Sequence, residues 1–248
     1  MKKIYIVGIG PGNAEFFTYQ AKEALEKSDV ICGYTVYIDL VKADYAQKRF
    51  ISTAMKKEID RCKLALEEAD KGNTVAMICS GDAGVYGMAG LIYQLSENYD
   101  EVEIEVVAGV TAALSGAAVL GAPLTHDFCV ISLSDLLTEW STIERRLEAA
   151  AMGDFCLAIY NPRSKKRHDY LYKACEILMK HKSKNTVCGF VRNIGRQGQE
   201  YELCTLAEMK DKEVDMFSTV FIGNENTKII AGKMITPRGY EKRDDSLV

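Results

Sequence analysis

Residues 75–90, VAMICSGDAGVYGMAG, constrain what this chain can fold into more than any other stretch. Val75 to Cys79 is an unbroken apolar run, the pattern of a parallel strand covered on both faces. Ser80-Gly81-Asp82 ends the run, and Ala83-Gly84 leaves room for close backbone approach. Val85, Met88, Ala89, Ile92 and Leu95 then recur at helical spacing, with Gly87 and Gly90 as small contact points. A buried strand turning sharply into a helix is the unit of an open α/β sheet, and ligands sit at such turns. Asp82 has two readings here, a ligand contact or a helix cap.

The preceding segments follow the same alternation. Residues 3–8 (KIYIVG) read as the first strand, followed by the loop 9–13 and a helix over 15–27 with Phe16, Tyr19 and Ala24 on one face. A strand is expected at 29–32 and helices at 33–44 and 56–72, the second amphipathic through Ile59, Cys62, Leu66 and Ala69 and closed by Gly72. A strand at 102–107 leads through GVTAA (109–113) into a small-residue helix ending near Leu120. The order predicts an N-terminal α/β domain over 1–120 with a mainly parallel sheet. GAPLTHD (121–127) interrupts the alternation and marks the expected boundary. The second α/β domain, 121–248, has strands expected at 128–133, 155–160, 186–191, 219–222, near 200–205 and near 229–231. Helices are expected at 139–151 and 165–180, which points to a mixed sheet. Residues 241–248 read as a solvated tail.

Composition excludes several classes. Lys plus Arg number 31 against 35 Asp plus Glu, so a net charge of −4 provides no global basic field for nucleic acid. No apolar run reaches the roughly 18 residues of a membrane span. The first three residues lead directly into a strand, so a soluble, cytoplasmic protein is expected. The eight cysteines (Cys32, Cys62, Cys79, Cys129, Cys156, Cys175, Cys188 and Cys204) include no CxxC pair. Several lie in apolar strand-like runs, so they read as reduced core residues and no metal site is expected.

Gly8 and Gly10 invite comparison with the dinucleotide fingerprint GxGxxG. Its third glycine would fall at Asn13, Pro11 lacks a backbone donor, and no acid ends the second strand, because Asp29 stands at its start. Such a loop suits a ligand that needs close backbone approach but carries no phosphate.

The motifs GIGPG (8–12), SGDAGVYGMAG (80–90), GVTAA (109–113), GAPLTHDF (121–128), ISLSDLL (131–137), YNPRSK (160–165) and TPRGY (236–240) together resemble the tetrapyrrole methylases. Within them, ISLSDLL, YNPRSK and TPRGY resemble the branch acting at C(17) of precorrin-3B or cobalt-factor III in cobalamin synthesis. The resemblance covers essentially the whole chain. It implies two α/β domains, usually a homodimer, with S-adenosylmethionine in a cleft between the domains and methylation coupled to ring contraction. Carried over by motif, it implies cofactor contacts at Pro11, Ser80, Gly81, Asp82, Val85, Thr111, Ala112, Tyr160 and Asn161. Related uroporphyrinogen methylases carry an aspartate after the second strand, where this chain has Gly33-Tyr34. No acid/base role transfers to that point. Methylation at another ring position and a non-catalytic tetrapyrrole- or nucleotide-binding module are the alternatives. Both cofactor halves, GPG with SGD and YNP, discriminate against the second.

A precorrin substrate is apolar and edged with carboxylates, so an acidic protein must supply local cations. Arg163, Lys165, Lys166 and Arg167 form a basic run, and Arg192, Arg196 and Arg238 lie in expected loops. Arginine matches carboxylates bidentately; the run also reads as a solvated helix start. Ring contraction requires proton movement, for which His126, Ser132 and Asp135 are the candidates, with Asp127 and Ser134 beside them. The same residue types also serve turns and caps. His168 and His181 are expected on helix surfaces.

Overall fold

The computed structural model describes residues 2–99, 101–164 and 167–240. The expected tail and the candidate cations Lys165 and Lys166 lie outside the described residues.

The first compact unit, Met1–Ala112, contains β1 (Lys3–Gly8), α1 (Tyr19–Lys27), β2 (Val30–Tyr34), α2 (Thr35–Val41), β3 (Arg49–Thr53), α3 (Glu58–Asp70), β4 (Thr74–Cys79), α4 (Ala89–Ser96) and β5 (Glu103–Val107). The strands form one parallel sheet in the order β3-β2-β4-β1-β5. Alternate side chains of β1 enter opposite cores, as the two-residue period of a strand requires. Ile4 and Ile6 join Leu66, Met77 and Ile92 on one face. Tyr5 and Val7 join Leu25, Ile31, Ile38 and Ile78 on the other.

Several boundaries differ from the sequence expectation for local reasons. The Thr18 hydroxyl accepts the Ala21 N–H at 3.0 Å and caps α1, so the helix starts at Tyr19. Tyr19 is 94% exposed and Ala21, Ala24 and Leu25 carry the buried face instead. Gly33 and Tyr34 complete β2 rather than opening a helix. In α3 Ile59 is exposed, while Cys62, Leu66 and Ala69 are buried as expected. The unanticipated β3 (RFIST) is an edge strand paired only with β2, with no apolar run to betray it. Glu68 of α3 pins it: its carboxylate pairs with Arg49, accepts from Lys71 Nζ at 2.8 Å and takes the Asn73 amide at 3.0 Å.

The second unit, Ala113–Val248, contains all but the first residue of α5 (Ala112–Leu120). It continues with β6 (Gly121–Ala122), β7 (Phe128–Ser132), α6 (Trp140–Met152), β8 (Cys156–Tyr160), α7 (Tyr170–Leu178), β9 (Val187–Arg192), β10 (Glu200–Thr205), α8 (Leu206–Met209), β11 (Ser218–Ile222), β12 (Lys228–Ile230) and β13 (Lys233–Ile235). The main sheet runs β10-β9-β11-β8-β7 and is mixed: only β7 and β8 pair in parallel. A smaller sheet, β12-β13-β6, contains the strand expected near 229–231 as β12, together with two short strands, β6 and β13, that were not expected. The units divide at the first turn of α5 rather than after Leu120. A Cβ on Gly116 would lie 2.8 Å from the Phe221 ring and 2.9 Å from Ile194, so α5 packs closely onto the second unit's core. His168 and His181 flank α7 instead of lying on it.

The ends of this unit are joined by hydroxyl groups. Thr236 is fully buried, and its hydroxyl donates to the Pro123 carbonyl at 2.7 Å and lies 2.8 Å from the Thr227 hydroxyl. Its N–H donates to Ala122 O at 3.0 Å, and the Thr125 hydroxyl donates to its carbonyl. The segments GAPLTHDF and TPRGY are therefore one local structure.

The Arg49 hydrogen bond, followed by that of Lys71, lowers the Glu68 carboxyl from its ordinary 4.5 to about 2. A folded pKa below the unfolded one stabilises the protein above pH 4.5, and the contribution disappears as pH falls through the folded value. Glu68→Gln should cost about 1 kcal/mol at pH 7, because Arg49 is half exposed and screened. The wild-type and variant melting temperatures should converge between about pH 4.5 and 2 in a calorimetric pH series.

Candidate functional site

Three loops meet at the carboxyl ends of β1, β4 and β5. Gly10 and Gly81 form an isolated antiparallel bridge: Gly10 N–H donates to Gly81 O at 3.0 Å and Gly81 N–H to Gly10 O at 2.7 Å. Ile9 N–H donates to Cys79 O at 2.9 Å. The loop after β1 thus has its backbone donors at Ile9 and Gly10 engaged, and Pro11 has none. Gly10 and Gly81 both have positive φ, +72° and +70°. Gly109 approaches them closely, since a Cβ there would lie 2.2 Å from Gly81 O.

Asp82 binds these loops together. Its Oδ1 accepts the N–H groups of Gly84 at 2.7 Å and Val85 at 3.2 Å, and its Oδ2 accepts Gly109 N–H at 2.9 Å. It forms a turn and a cross-loop tie, although the helix expected from Val85 begins only at Ala89. Between them the chain doubles back: Tyr86 has φ +54°, and a Cβ on Gly87 would fall 2.3 Å from Ala83 O. The ideal Cβ position of Gly81 lies 3.6 Å from Thr111 Cα and 3.9 Å from Ala112 N. Pro11, Ser80, Gly81, Asp82, Val85, Thr111 and Ala112 therefore share one end of one sheet. Pro11 and Gly81 are buried, and the others are partly buried.

In the second unit the Tyr160 hydroxyl accepts the Ala113 N–H at 2.7 Å, in the first turn of α5. Asn161, at φ +52°, donates its amide to Ser132 Oγ at 2.9 Å, which also accepts Ser134 N–H at 3.2 Å. Asp135 accepts from Tyr170 OH at 2.6 Å and pairs with Arg167 at 3.3 Å. Those partners, Tyr170 first, hold its carboxyl below the ordinary range and keep it ionised. The sequence reading missed Tyr170; it lies 35 positions from Asp135, beyond any local motif. His126 is exposed, and its Nδ1 accepts the Asp127 N–H at 2.9 Å.

The arginine candidates are not equivalent. Arg192 pairs with Glu200 at 3.1 Å and Asp215 at 2.7 Å, and Arg163 pairs with Glu213 at 3.0 Å. Arg196 N–H donates to Asn193 O at 2.9 Å within its loop. Arg238 is exposed, donates to the Thr125 carbonyl at 3.3 Å, and makes no ion pair among the described residues. Thr125 places it beside His126.

Glycine-lined loops at the strand ends of a parallel sheet, followed by a mixed-sheet unit, define an α/β protein of the kind whose ligands sit beyond the strand ends. The chain belongs to the tetrapyrrole (corrin/porphyrin) methylases, whose family model matches residues 3–210. It is 48% identical over 236 residues to the probable cobalt-factor III C(17)-methyltransferase of Salmonella typhimurium, covering 95% of this chain and 98% of that one. It is 37% identical over 246 residues to the precorrin-3B C(17)-methyltransferase of a Sinorhizobium species, covering 96% of each. The crystal structure of the methyltransferase CobJ matches with a TM-score of 0.87 at 34% identity, covering 94% of this chain and 99% of that one.

Asp82→Asn should distinguish the carboxylate from a mere polar turn. The amide keeps one acceptor, but on either orientation it loses an acceptor toward Gly109 or toward Gly84 and Val85, at about 1–3 kcal/mol. Expected outcomes are a lower melting temperature and at least a tenfold loss of S-adenosylmethionine affinity by calorimetry; unchanged affinity would remove Asp82 from cofactor binding.

Proposed function

We propose that this protein transfers a methyl group from S-adenosylmethionine to C(17) of a cobalamin precursor, cobalt-factor III or precorrin-3B, with contraction of the macrocycle. The observation that carries this reading is 48% identity, over nearly the full length of both chains, to a relative named for the reaction. Identity to the relative named for precorrin-3B is lower, 37%, which favours the cobalt-bearing substrate.

The residues at the sheet end fit a cationic cofactor. Backbone donors at Ile9, Gly10 and Gly81 are already engaged, whereas Asp82 Oδ2 accepts one hydrogen bond and retains a further lone pair. S-adenosylmethionine supplies an electrophilic methyl group on a sulfonium. Pro11, Ser80, Gly81, Asp82, Val85, Thr111 and Ala112 would hold it, and the family motif adds Tyr160 and Asn161 as cofactor contacts. The protein's main task is alignment and exclusion of water, so no activated protein nucleophile is required.

Arg238 receives a substrate carboxylate, because its guanidinium enters that contact without first leaving an ion pair. Arg163 and Arg192 bind substrate only by exchanging a carboxylate partner, and Arg196 is a further contact from the 193–199 loop. Asp135, held ionised, orients Arg167 and Tyr170 more readily than it accepts a proton. His126 and Ser132 are the groups for proton handling. The enzyme is a cytoplasmic homodimer in this reading. Eight free cysteines suit a reducing compartment, and Ile229 and Ile230 are exposed on the outer strand β12.

Incubation with S-adenosylmethionine and either cobalt-factor III or metal-free precorrin-3B should add one methyl group by mass spectrometry, faster with the cobalt form. Transfer to neither would end the proposal. Arg238→Ala should raise the tetrapyrrole KM roughly tenfold, the scale of one charge-assisted contact, with the cofactor KM nearly unchanged. Equal effects on both would count against a carboxylate contact.

A further inference from the structure

Tyr86 occupies a position that backbone energetics would give to glycine. Its φ of +54° lies in the left-handed region, where a bulky L-residue is strained. The chain uses glycine freely for that conformation, at Gly10, Gly72 and Gly81 among others. The remaining described non-glycine residues with positive φ are Lys56, Glu101, Asp154, Asn161, Asn193 and Ala231, so Tyr86 is the one aromatic among them. Core packing does not account for the choice, since Tyr86 is 58% exposed.

The surrounding turn is built to hold this residue in place. Asp82 accepts the N–H groups of Gly84 and Val85 just before it. Gly87, just after it, has no room for a Cβ, and Ala89 N–H closes the turn on Ala83 O at 3.1 Å. Along the turn Gly81 and Ala83 are buried, Asp82 and Val85 partly buried, and Gly84 and Tyr86 exposed, so the Tyr86 ring stands at the rim. A small cofactor belongs on the buried floor, and a larger acceptor meets the rim.

We infer that Tyr86 is a substrate-positioning residue whose aromatic ring stacks on the conjugated tetrapyrrole. The inference rests on the proposed function and extends it to a residue that the cofactor motif does not require. An exposed aromatic ring offers a flat apolar face of the kind that packs in offset stacks against another π-system. Backbone strain at Tyr86 is then the cost of presenting that face at a fixed angle.

The test compares wild type, Tyr86→Gly and Tyr86→Phe in thermal denaturation and in steady-state kinetics with both substrates. Tetrapyrrole binding is also measured by quenching of protein fluorescence without S-adenosylmethionine. Tyr86→Gly should leave the melting temperature equal or higher, because the strain is relieved. Its tetrapyrrole KM and dissociation constant should rise roughly tenfold, with the S-adenosylmethionine KM unaltered. Tyr86→Phe should recover most of the lost affinity.

A lower melting temperature for Tyr86→Gly would make the ring structural and overturn the inference. So would unchanged tetrapyrrole affinity, an effect confined to the cofactor, or a Tyr86→Phe variant as impaired as Tyr86→Gly. If wild type transfers no methyl group, the proposed reaction fails, and the quenching comparison still decides the role of Tyr86.

Discussion

The carboxylate of Asp82 is the interaction on which the candidate site depends. One side chain gathers three backbone N–H groups from two loops, Gly84 and Val85 on its own turn and Gly109 after β5. Glycine at 8, 81 and 109 makes this arrangement possible, because a Cβ at Gly8 or Gly109 would penetrate neighbouring backbone. Backbone thus packs against backbone at the end of the sheet, and the polar groups there satisfy one another. The backbone donors at Ile9, Gly10 and Gly81 are engaged within the fold, unlike the open N–H groups of a phosphate-binding turn.

The second unit uses a different means to the same end. Tyr160 contributes a hydroxyl to the first turn of α5, and Asn161 occupies a left-handed position to reach Ser132. Asp135 is fixed by Tyr170 and Arg167, and Tyr170 in turn packs against Trp140 with ring centroids 4.4 Å apart. Among the described residues Arg163, Arg167 and Arg192 are each paired with a carboxylate.

Much of the architecture was legible because β1, β4, β8, β9 and β11 are apolar runs that bury nearly every residue, a pattern independent of context. The edge strand β3 was not, since none of its five residues is fully buried and its partner Glu68 is 19 positions from Arg49. The start of α4 was misplaced because helical spacing from Val85 takes no account of the Tyr86 backbone or of the crowding at Gly87. At the site, motifs revealed which residues lie together but not what they do. Asp82 had two readings in sequence, and its bond to Gly109 shows it acting as a cross-loop tie, a contact that no local pattern encodes. Arg192 looked as available as Arg238 until Glu200 and Asp215 were found beside it.

The buried threonine at the far end of the second unit bears on how the protein is made. The Pro123 carbonyl and the Thr227 hydroxyl both meet the Thr236 hydroxyl, which is separated from Pro123 by more than a hundred residues. During synthesis the amino-terminal unit has all of its strands once β5 has emerged, and it is free to fold as a body. The second unit has no such early finish. Its β6 edge and the Pro123 carbonyl wait for β13 and Thr236, almost the last described residues to leave the ribosome. Until then β6 lacks the sheet partner it has among the described residues, which leaves its edge open to non-native pairing in nascent chains paused in this interval.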